Sequence, residues 1–370
     1  STKNILEAAN MLIKKNKYRP DKNLFTQNDV GEKIGLYEAL DEADEADFVA
    51  TKVLEIMDKG SMGDKISDSD IAVLYRANFQ SRVLEEAMLR YNIPYQVLGV
   101  KFFERKEIKD TLAYLRAALN PDSLSDIKRI INFPKRGIGK ATLVKIFAKQ
   151  TEDLPVKTRI KINNFYQILE EIRQKIQEDK ASQVIRFVVK KSGIEHELSE
   201  GGEEDLERLE NIKELATLAL KYDNLEHGAG VEKLLEDASL ASDQDSLIIN
   251  TPHPDPLLVN ERGNNGVKMM TVHAAKGLEF NHVFIVGLED GLFPHERHGE
   301  REASTDSEEE RRLFYVALTR GKHKVFLSFA NFRTIFGSRQ VNTLSEFISD
   351  IPPDLLEREG EKGGIKTIYI

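Results

Sequence analysis

The stretch Met269-Met270-Thr271-Val272-His273-Ala274-Ala275-Lys276-Gly277-Leu278-Glu279-Phe280 decides how the chain reads. The apolar run Val267 to Val272 predicts a buried strand, and it ends in a polar turn carrying His273, Lys276 and Glu279. A second strand is predicted at once, from His282 to Gly287. Polar groups gathered where a buried strand of an α/β sheet ends sit where such folds place ligands. Further on, Glu308-Glu309-Glu310-Arg311-Arg312-Leu313-Phe314-Tyr315-Val316-Ala317-Leu318-Thr319-Arg320 predicts an amphipathic helix that delivers one arginine at its end. Ser307 and Glu310 have capping-box spacing, which predicts the helix start, and Leu313, Val316 and Ala317 are its expected buried face.

Outward from that stretch, the α/β pattern continues on both sides. Helices are predicted over Ser1–Lys15, Asp44–Lys59 and Ser81–Tyr91, and strands over Ile71–Tyr75, Tyr95–Val100 and Lys324–Phe329, with short strands in Asn23–Tyr37. Strands alternating with helices of this length imply a largely parallel sheet. From Glu107 to about Ala241 the texture changes: strand patterns vanish and turn formers such as Asn120-Pro121-Asp122 and Gly137-Ile138-Gly139 separate helix-like segments. The expected organisation is therefore residues 1–106, an inserted helical domain over 107–262, and a return to the α/β domain over 263–370. Thr251–Asn265, rich in Pro and Asn, is the expected return linker, and Arg297–Ser307 reads as a mobile loop.

Composition bounds the chemistry. The 370 residues carry a net charge of -9, with 40% hydrophobic and 31% charged residues, and no apolar run approaches the roughly 18 residues needed to span a bilayer. There is no cysteine, so disulfides, thiolate metal sites and cysteine catalysis are excluded, and a reducing cytoplasm is the natural compartment. The charge is uneven. Glu38 to Asp47 holds six acids and no base, whereas Asp126 to Lys149 holds seven bases against one acid. A local basic face on an acidic protein suits a partner bound at one site. Within that face, Gly137-Ile138-Gly139-Lys140 is not a P-loop, because Pro134 stands where the first glycine should be and Ala141 follows the lysine. Helix, Pro134-Lys135-Arg136-Gly137-Ile138-Gly139, helix instead resembles a helix-hairpin-helix. In it Gly137 and Gly139 let backbone approach a phosphate, Lys135, Arg136 and Lys140 supply charge, and the second helix offers its first amides. Lys101, Arg105, Lys106 and Lys109 form a second, weaker basic cluster. The histidines show no metal-ligand spacing.

Together the two opening stretches resemble the last two signature motifs of the UvrD/PcrA/Rep group of superfamily 1 DNA helicases. The likeness extends through Ser1-Thr2-Lys3-Asn4-Ile5-Leu6, Val73-Leu74-Tyr75-Arg76-Ala77-Asn78-Phe79-Gln80-Ser81-Arg82, Phe102-Phe103-Glu104-Arg105-Lys106-Glu107-Ile108-Lys109-Asp110 and Pro134–Gly139, in the family's order. The resemblance implies the second RecA-like domain, interrupted by an all-helical domain, from an enzyme that translocates 3′ to 5′ on single-stranded DNA. It implies that Arg320 acts as an arginine finger on ATP and that Glu279 hydrogen-bonds the ribose. Asn78, His273 and His295 would touch single-stranded DNA, Phe336 would stack on a base, and the Lys135–Lys140 hairpin would hold the duplex at the junction. The P-loop and the acidic motif that holds magnesium belong to an N-terminal half that this chain lacks. The tyrosine and arginine that precede the matching opening segment in the family are absent too, so the chain reads as a fragment cut inside a motif and inactive alone as an ATPase.

The residues taken without the family support plainer readings. An arginine at a helix end bonds its own last carbonyls. A turn glutamate or lysine is ordinary solvated surface, an isolated histidine is more often structural, and one Phe among 18 is most often core. A DNA-docking or regulatory module that keeps the fold without the motor would also carry these letters.

Overall fold

A computed structural model describes residues 1–17, 24–60, 67–250, 266–295, 303–335 and 338–360. The chain divides into two compact units, Ser1–Gly99 with Pro252–Thr334 and Arg339–Ile370, and Val100–Thr251 with Ile335–Ser338.

The first unit begins with α1 (Lys3–Ile13), β1 (Ile34–Ala39), α2 (Glu42–Gly60), β2 (Ile71–Tyr75), α3 (Ser81–Arg90) and β3 (Tyr95–Val97). The Val100–Thr251 segment of the second is built from helices: α4 (Lys106–Leu119), α5 (Leu124–Ile130), α6 (Lys140–Phe147), α7 (Val156–Glu178), α8 (Ala181–Ser192), α9 (Ile194–Ser199), α10 (Glu203–Ala219) and α11 (Ala229–Asn250). The chain then returns through β4 (Val267–Thr271), β5 (Phe280–Ile285), α12 (Ala303–Thr319) and β6 (Gly321–Ala330). It closes with the ribbon β7 (Phe332–Ile335) and β8 (Ser338–Val341), α13 (Glu346–Ser349) and β9 (Leu356–Arg358). Among the described residues no helix is long and apolar enough to cross a membrane.

The sheet has seven strands in the order β3-β4-β2-β5-β6-β1-β9, and every pairing is parallel. Strand periodicity explains its two faces. In β2, Ala72 and Leu74 point into one core with Ile5, Ala9 and Leu12 of α1 and Phe314, Ala317 and Leu318 of α12. Ile71, Val73 and Tyr75 point into the opposite core with Val49 and Val53 of α2 and Leu84 and Met88 of α3. Both faces of the central strands are covered, which is why β2 reads as five consecutive buried residues rather than as an alternation. The expected class, a parallel α/β domain interrupted by helices, is what the chain forms. In the helical unit, α7 buries Ile162, Phe165, Leu169, Ile172 and Ile176, spacings of three and four that give one apolar stripe.

Three local expectations are corrected. The helix predicted to start at Ser307 begins at Ala303, so the predicted loop Arg297–Ser307 is helical over its last residues. Ser307 is not a cap: its hydroxyl donates to Glu346 (3.1 Å), and Glu310 is turned toward Arg76. The buried face of the helix is Phe314, Ala317 and Leu318, one position round from the Leu313–Val316 stripe, and Leu313 and Val316 are only half-buried. The whole of the expected linker Thr251–Asn265, and Phe336, lie outside the described residues.

Candidate functional site

Because all strands of the sheet run the same way, it has two chemically distinct rims, one where strands start and one where they end. Glu279 immediately precedes β5, and Arg320 immediately precedes β6, its neighbour. The Phe280 amide donates to the Arg320 carbonyl (2.9 Å), so the two residues flank one pair of strand starts. The Arg320 guanidinium lies across that junction. Its Nε donates to the Val316 carbonyl (3.0 Å), Nη1 to the Leu278 carbonyl (2.9 Å) and Nη2 to the Thr319 hydroxyl (3.1 Å). All three acceptors are neutral, and one is a carbonyl of its own helix, as the plainer reading has it. Glu279 is exposed, with the Lys322 ammonium at 3.9 Å, beyond hydrogen-bond reach. Lys276 is exposed in the preceding turn. His273 and Glu279, adjacent in the sequence motif, therefore part company: His273 leaves the end of β4 and Glu279 enters the start of β5, on the opposite rim.

The strand-end rim gathers the other residues. Asn78 follows β2, His273 follows β4 and His295 follows β5 by way of a tight loop, and β4, β2 and β5 are consecutive in the sheet. Their backbones are held by buried polar groups. The Gln80 Oε1 accepts the amides of Arg76 (3.0 Å) and Ala77 (2.8 Å), shaping the turn that carries Asn78. Gly287 packs against this turn with φ +73, and a Cβ there would fall 2.2 Å from Gln80 Nε2, so only glycine fits. Arg76 is buried and grips Glu310 bidentately, Nη2 to Oε1 at 2.7 Å and Nε to Oε2 at 2.9 Å. Glu310 Oε2 also accepts the His295 amide (3.1 Å). Beside it, Arg333 is sunk between two buried carboxylates, with Nη2 2.6 Å from Glu45 and 2.7 Å from Glu289. Burial pushes the Glu289 carboxyl above the usual range and the nearby Glu45 adds to this, while Arg333 pulls it back.

In the helical unit, the predicted hairpin stands between α5 and α6. Gly137 has φ +69, and both Gly137 and Gly139 are exposed, with nothing within 4 Å of a Cβ at Gly139. Backbone there is open to an incoming phosphate. Lys135 and Lys140 are exposed, the latter as first residue of α6, whose opening amides have no helical acceptor. Arg136 is a correction. Its guanidinium turns inward to the carbonyls of Ile130, Ile131, Pro134 and Ser192 and to the Tyr114 hydroxyl, and lies over the Phe165 ring. It ties the hairpin to the core and does not present charge to a ligand. Two of the four bases in the weaker cluster are likewise spent internally. Arg105 is buried on Asn211 (2.8 Å) and the Val100 carbonyl, and Lys109 pairs with Glu104.

Residues 1–332 match the family model of the UvrD-like helicase C-terminal domain. The chain belongs to that family. It is 39% identical over 379 aligned positions to the ATP-dependent DNA helicase PcrA of Bacillus subtilis, covering 98% of this chain and 50% of that protein. It is 40% identical to the PcrA helicase of Staphylococcus epidermidis, with 100% of this chain and 50% of the relative covered. A Staphylococcus aureus PcrA matches at 39% over 96% of this chain. The chain spans about half the length of the curated relatives it matches.

Within this UvrD-like domain, Arg76, Gln80, Glu310, Glu45, Glu289 and Arg333 are the residues that sequence reading missed. A signal was available. Arg76 follows five buried strand residues at once, and Glu289 closes the apolar run from Val283 to Leu288. A charge at the end of a buried strand has to find a buried counter-charge.

Proposed function

We propose that this chain is the C-terminal half of an ATP-dependent DNA helicase that translocates 3′ to 5′ on single-stranded DNA. The observation that supports it most is the placement of Glu279 and Arg320 at neighbouring strand starts on one rim. An exposed carboxylate there can accept the hydroxyls of a ribose. A guanidinium held only by neutral carbonyls and a hydroxyl can exchange them for phosphate oxygens, whose spread charge matches its planar fork. Bound ATP would supply the phosphoryl group and the energy of its transfer. The P-loop and magnesium ligands would come from an N-terminal half. The part of this chain is to bind, orient and stabilise charge from one side of a cleft. Asn78, His273 and His295 on the strand-end rim, together with Phe336, would grip single-stranded DNA through stacking and backbone contacts that ignore sequence. The open Gly137–Gly139 backbone with Lys135 and Lys140 would hold duplex phosphates.

The experiment compares phosphate release with single-stranded DNA present. This chain alone should show none above background. In a polypeptide that joins it to a P-loop half, Arg320→Ala should lower turnover by about a thousandfold or more while ATP binding persists. Turnover by the isolated chain, or an unimpaired Arg320→Ala protein, would refute the reading.

A further inference from the structure

Three contacts converge on one carboxylate. Glu310 takes both donors of the Arg76 fork, which is buried, and the amide of His295, which is half-buried. Arg76 begins the turn that presents Asn78 from β2, and His295 lies on the segment that follows β5. Glu310 belongs to neither strand. It projects from α12, the helix that Arg320 directly follows, ten residues and about 15 Å along the axis. The two segments also meet through an apolar cluster, Ala77 and Phe79 with Leu292, but such contact is non-directional and leaves their relative orientation free. The bidentate geometry removes that freedom, because a planar fork on a carboxylate accepts one orientation well.

We propose that Glu310 is a positioning residue for the strand-end rim: by holding Arg76 and the His295 amide together it sets the relative placement of Asn78 and His295 as a pair of strand contacts. This inference rests on the DNA reading of that rim. His273 supplies the internal control. It hangs from β4, in a turn closed by its own bonds, Ala275 amide to the Thr271 and Val272 carbonyls (both 3.2 Å). Glu310 therefore acts on His295 through its amide, whereas the backbone turn that carries His273 is closed by bonds to its own strand end.

The test is a pair of double-mutant cycles on single-stranded oligonucleotide binding by this chain. His295→Ala and His273→Ala are each combined with Glu310→Ala, or with Glu310→Gln where the alanine variant fails to fold. Each histidine variant alone should weaken binding about tenfold, the loss typical of one stacking contact. In the Glu310 background, His295→Ala should cost less than about twofold more, whereas His273→Ala should keep its full effect. The His295 amide should also lose its protection from hydrogen exchange in Glu310→Ala, with the sheet amides still protected. Additive cycles for both histidines, or a His295 amide still protected, would overturn the positioning role and leave the DNA reading standing. If neither histidine variant nor the unaltered chain shows DNA affinity, the strand-end reading falls and this inference with it.

Discussion

The two rims of the sheet carry charge in opposite ways. At the strand ends, Arg76 meets Glu310 and Arg333 meets Glu45 and Glu289, every partner less than a tenth exposed and every contact at 2.6–3.1 Å. At the strand starts, Arg320 rests on two carbonyls and a hydroxyl, and exposed Glu279 has a distant Lys322. The first arrangement holds backbone in place, because separating a buried pair leaves an uncompensated charge that costs about 3–5 kcal/mol. The second leaves side chains able to change partners, because exposed pairs contribute about 1 kcal/mol or less. A rim that must present several strand-end turns in register needs the former. A rim that must release and recapture a ligand each cycle needs the latter.

The comparison breaks most readily at Arg333. Arg333→Met leaves two buried carboxylates without their cation, and the expected loss is near the top of the buried-pair range, about 5 kcal/mol. The loss should depend on pH with a definite sign. The Glu289 carboxyl is already raised by burial, and removing the arginine that pulls it down lifts it further. The folded variant then holds a proton that the unfolded chain has released, so its stability is greatest at acid pH and falls as pH rises above the ordinary carboxylate range. Urea midpoints at pH 5 and pH 8 should diverge more in Arg333→Met than in the unaltered chain. Equal midpoints would show that the cluster is not the buried node its geometry describes.

The same contrast recurs within the helical unit, at a smaller scale. Arg136 is spent on four carbonyls and a tyrosine hydroxyl, so Arg136→Ala should cost about 2 kcal/mol in stability, the range for hydrogen bonds made by a charged donor. Its effect on duplex binding should disappear once the fraction folded is corrected for. Lys135→Ala and Lys140→Ala should change stability by less than about 0.5 kcal/mol. Each should reduce the slope of log affinity against log salt by about one, because each removes a phosphate contact. A salt slope altered by Arg136→Ala, with the lysine variants silent, would reverse the assignment.

These residues also show where legibility ended. The strands from Ile71, Val267 and His282 were readable because continuous apolar runs bounded by turns have few other fates. The helical texture after Glu107 was readable because α7 repeats its apolar positions at three and four. The individual letters at Asn78, His273, Glu279 and Arg320 were readable as candidates, but their division between rims was not. Which rim a residue occupies depends on whether it closes one strand or opens the next, and nothing in the turn His273–Glu279 marks where that change falls. The roles of Arg136 and Glu310 were hidden for a related reason. A charged side chain near a turn looks the same in sequence whether it faces water or a partner far along the chain, and Glu310 meets one across 234 positions. The Ser307 capping pattern misled because tertiary partners, Glu346 and Arg76, claimed both of its members.

The smallest effect sharpens the comparison from its open side. Lys322 and Glu279 are separated by 3.9 Å with side chains about half exposed, so Lys322→Ala should shift stability by less than about 0.5 kcal/mol. Its consequence belongs to function. Lys322 is the one cation ion-paired to Glu279 among the described residues, and removing it leaves the carboxylate with more freedom to meet hydroxyl donors. In a polypeptide that includes a P-loop half, Lys322→Ala should therefore leave the maximal rate unchanged and alter the apparent affinity for ATP by a factor of about two to three, the scale of a weak exposed pair. Equilibrium unfolding and a steady-state titration of ATP measure the two quantities separately. A destabilisation comparable to that of Arg333→Met would mean that the strand-start rim is as tightly held as the strand ends, and the distinction between a scaffolded rim and an exchangeable one would be lost.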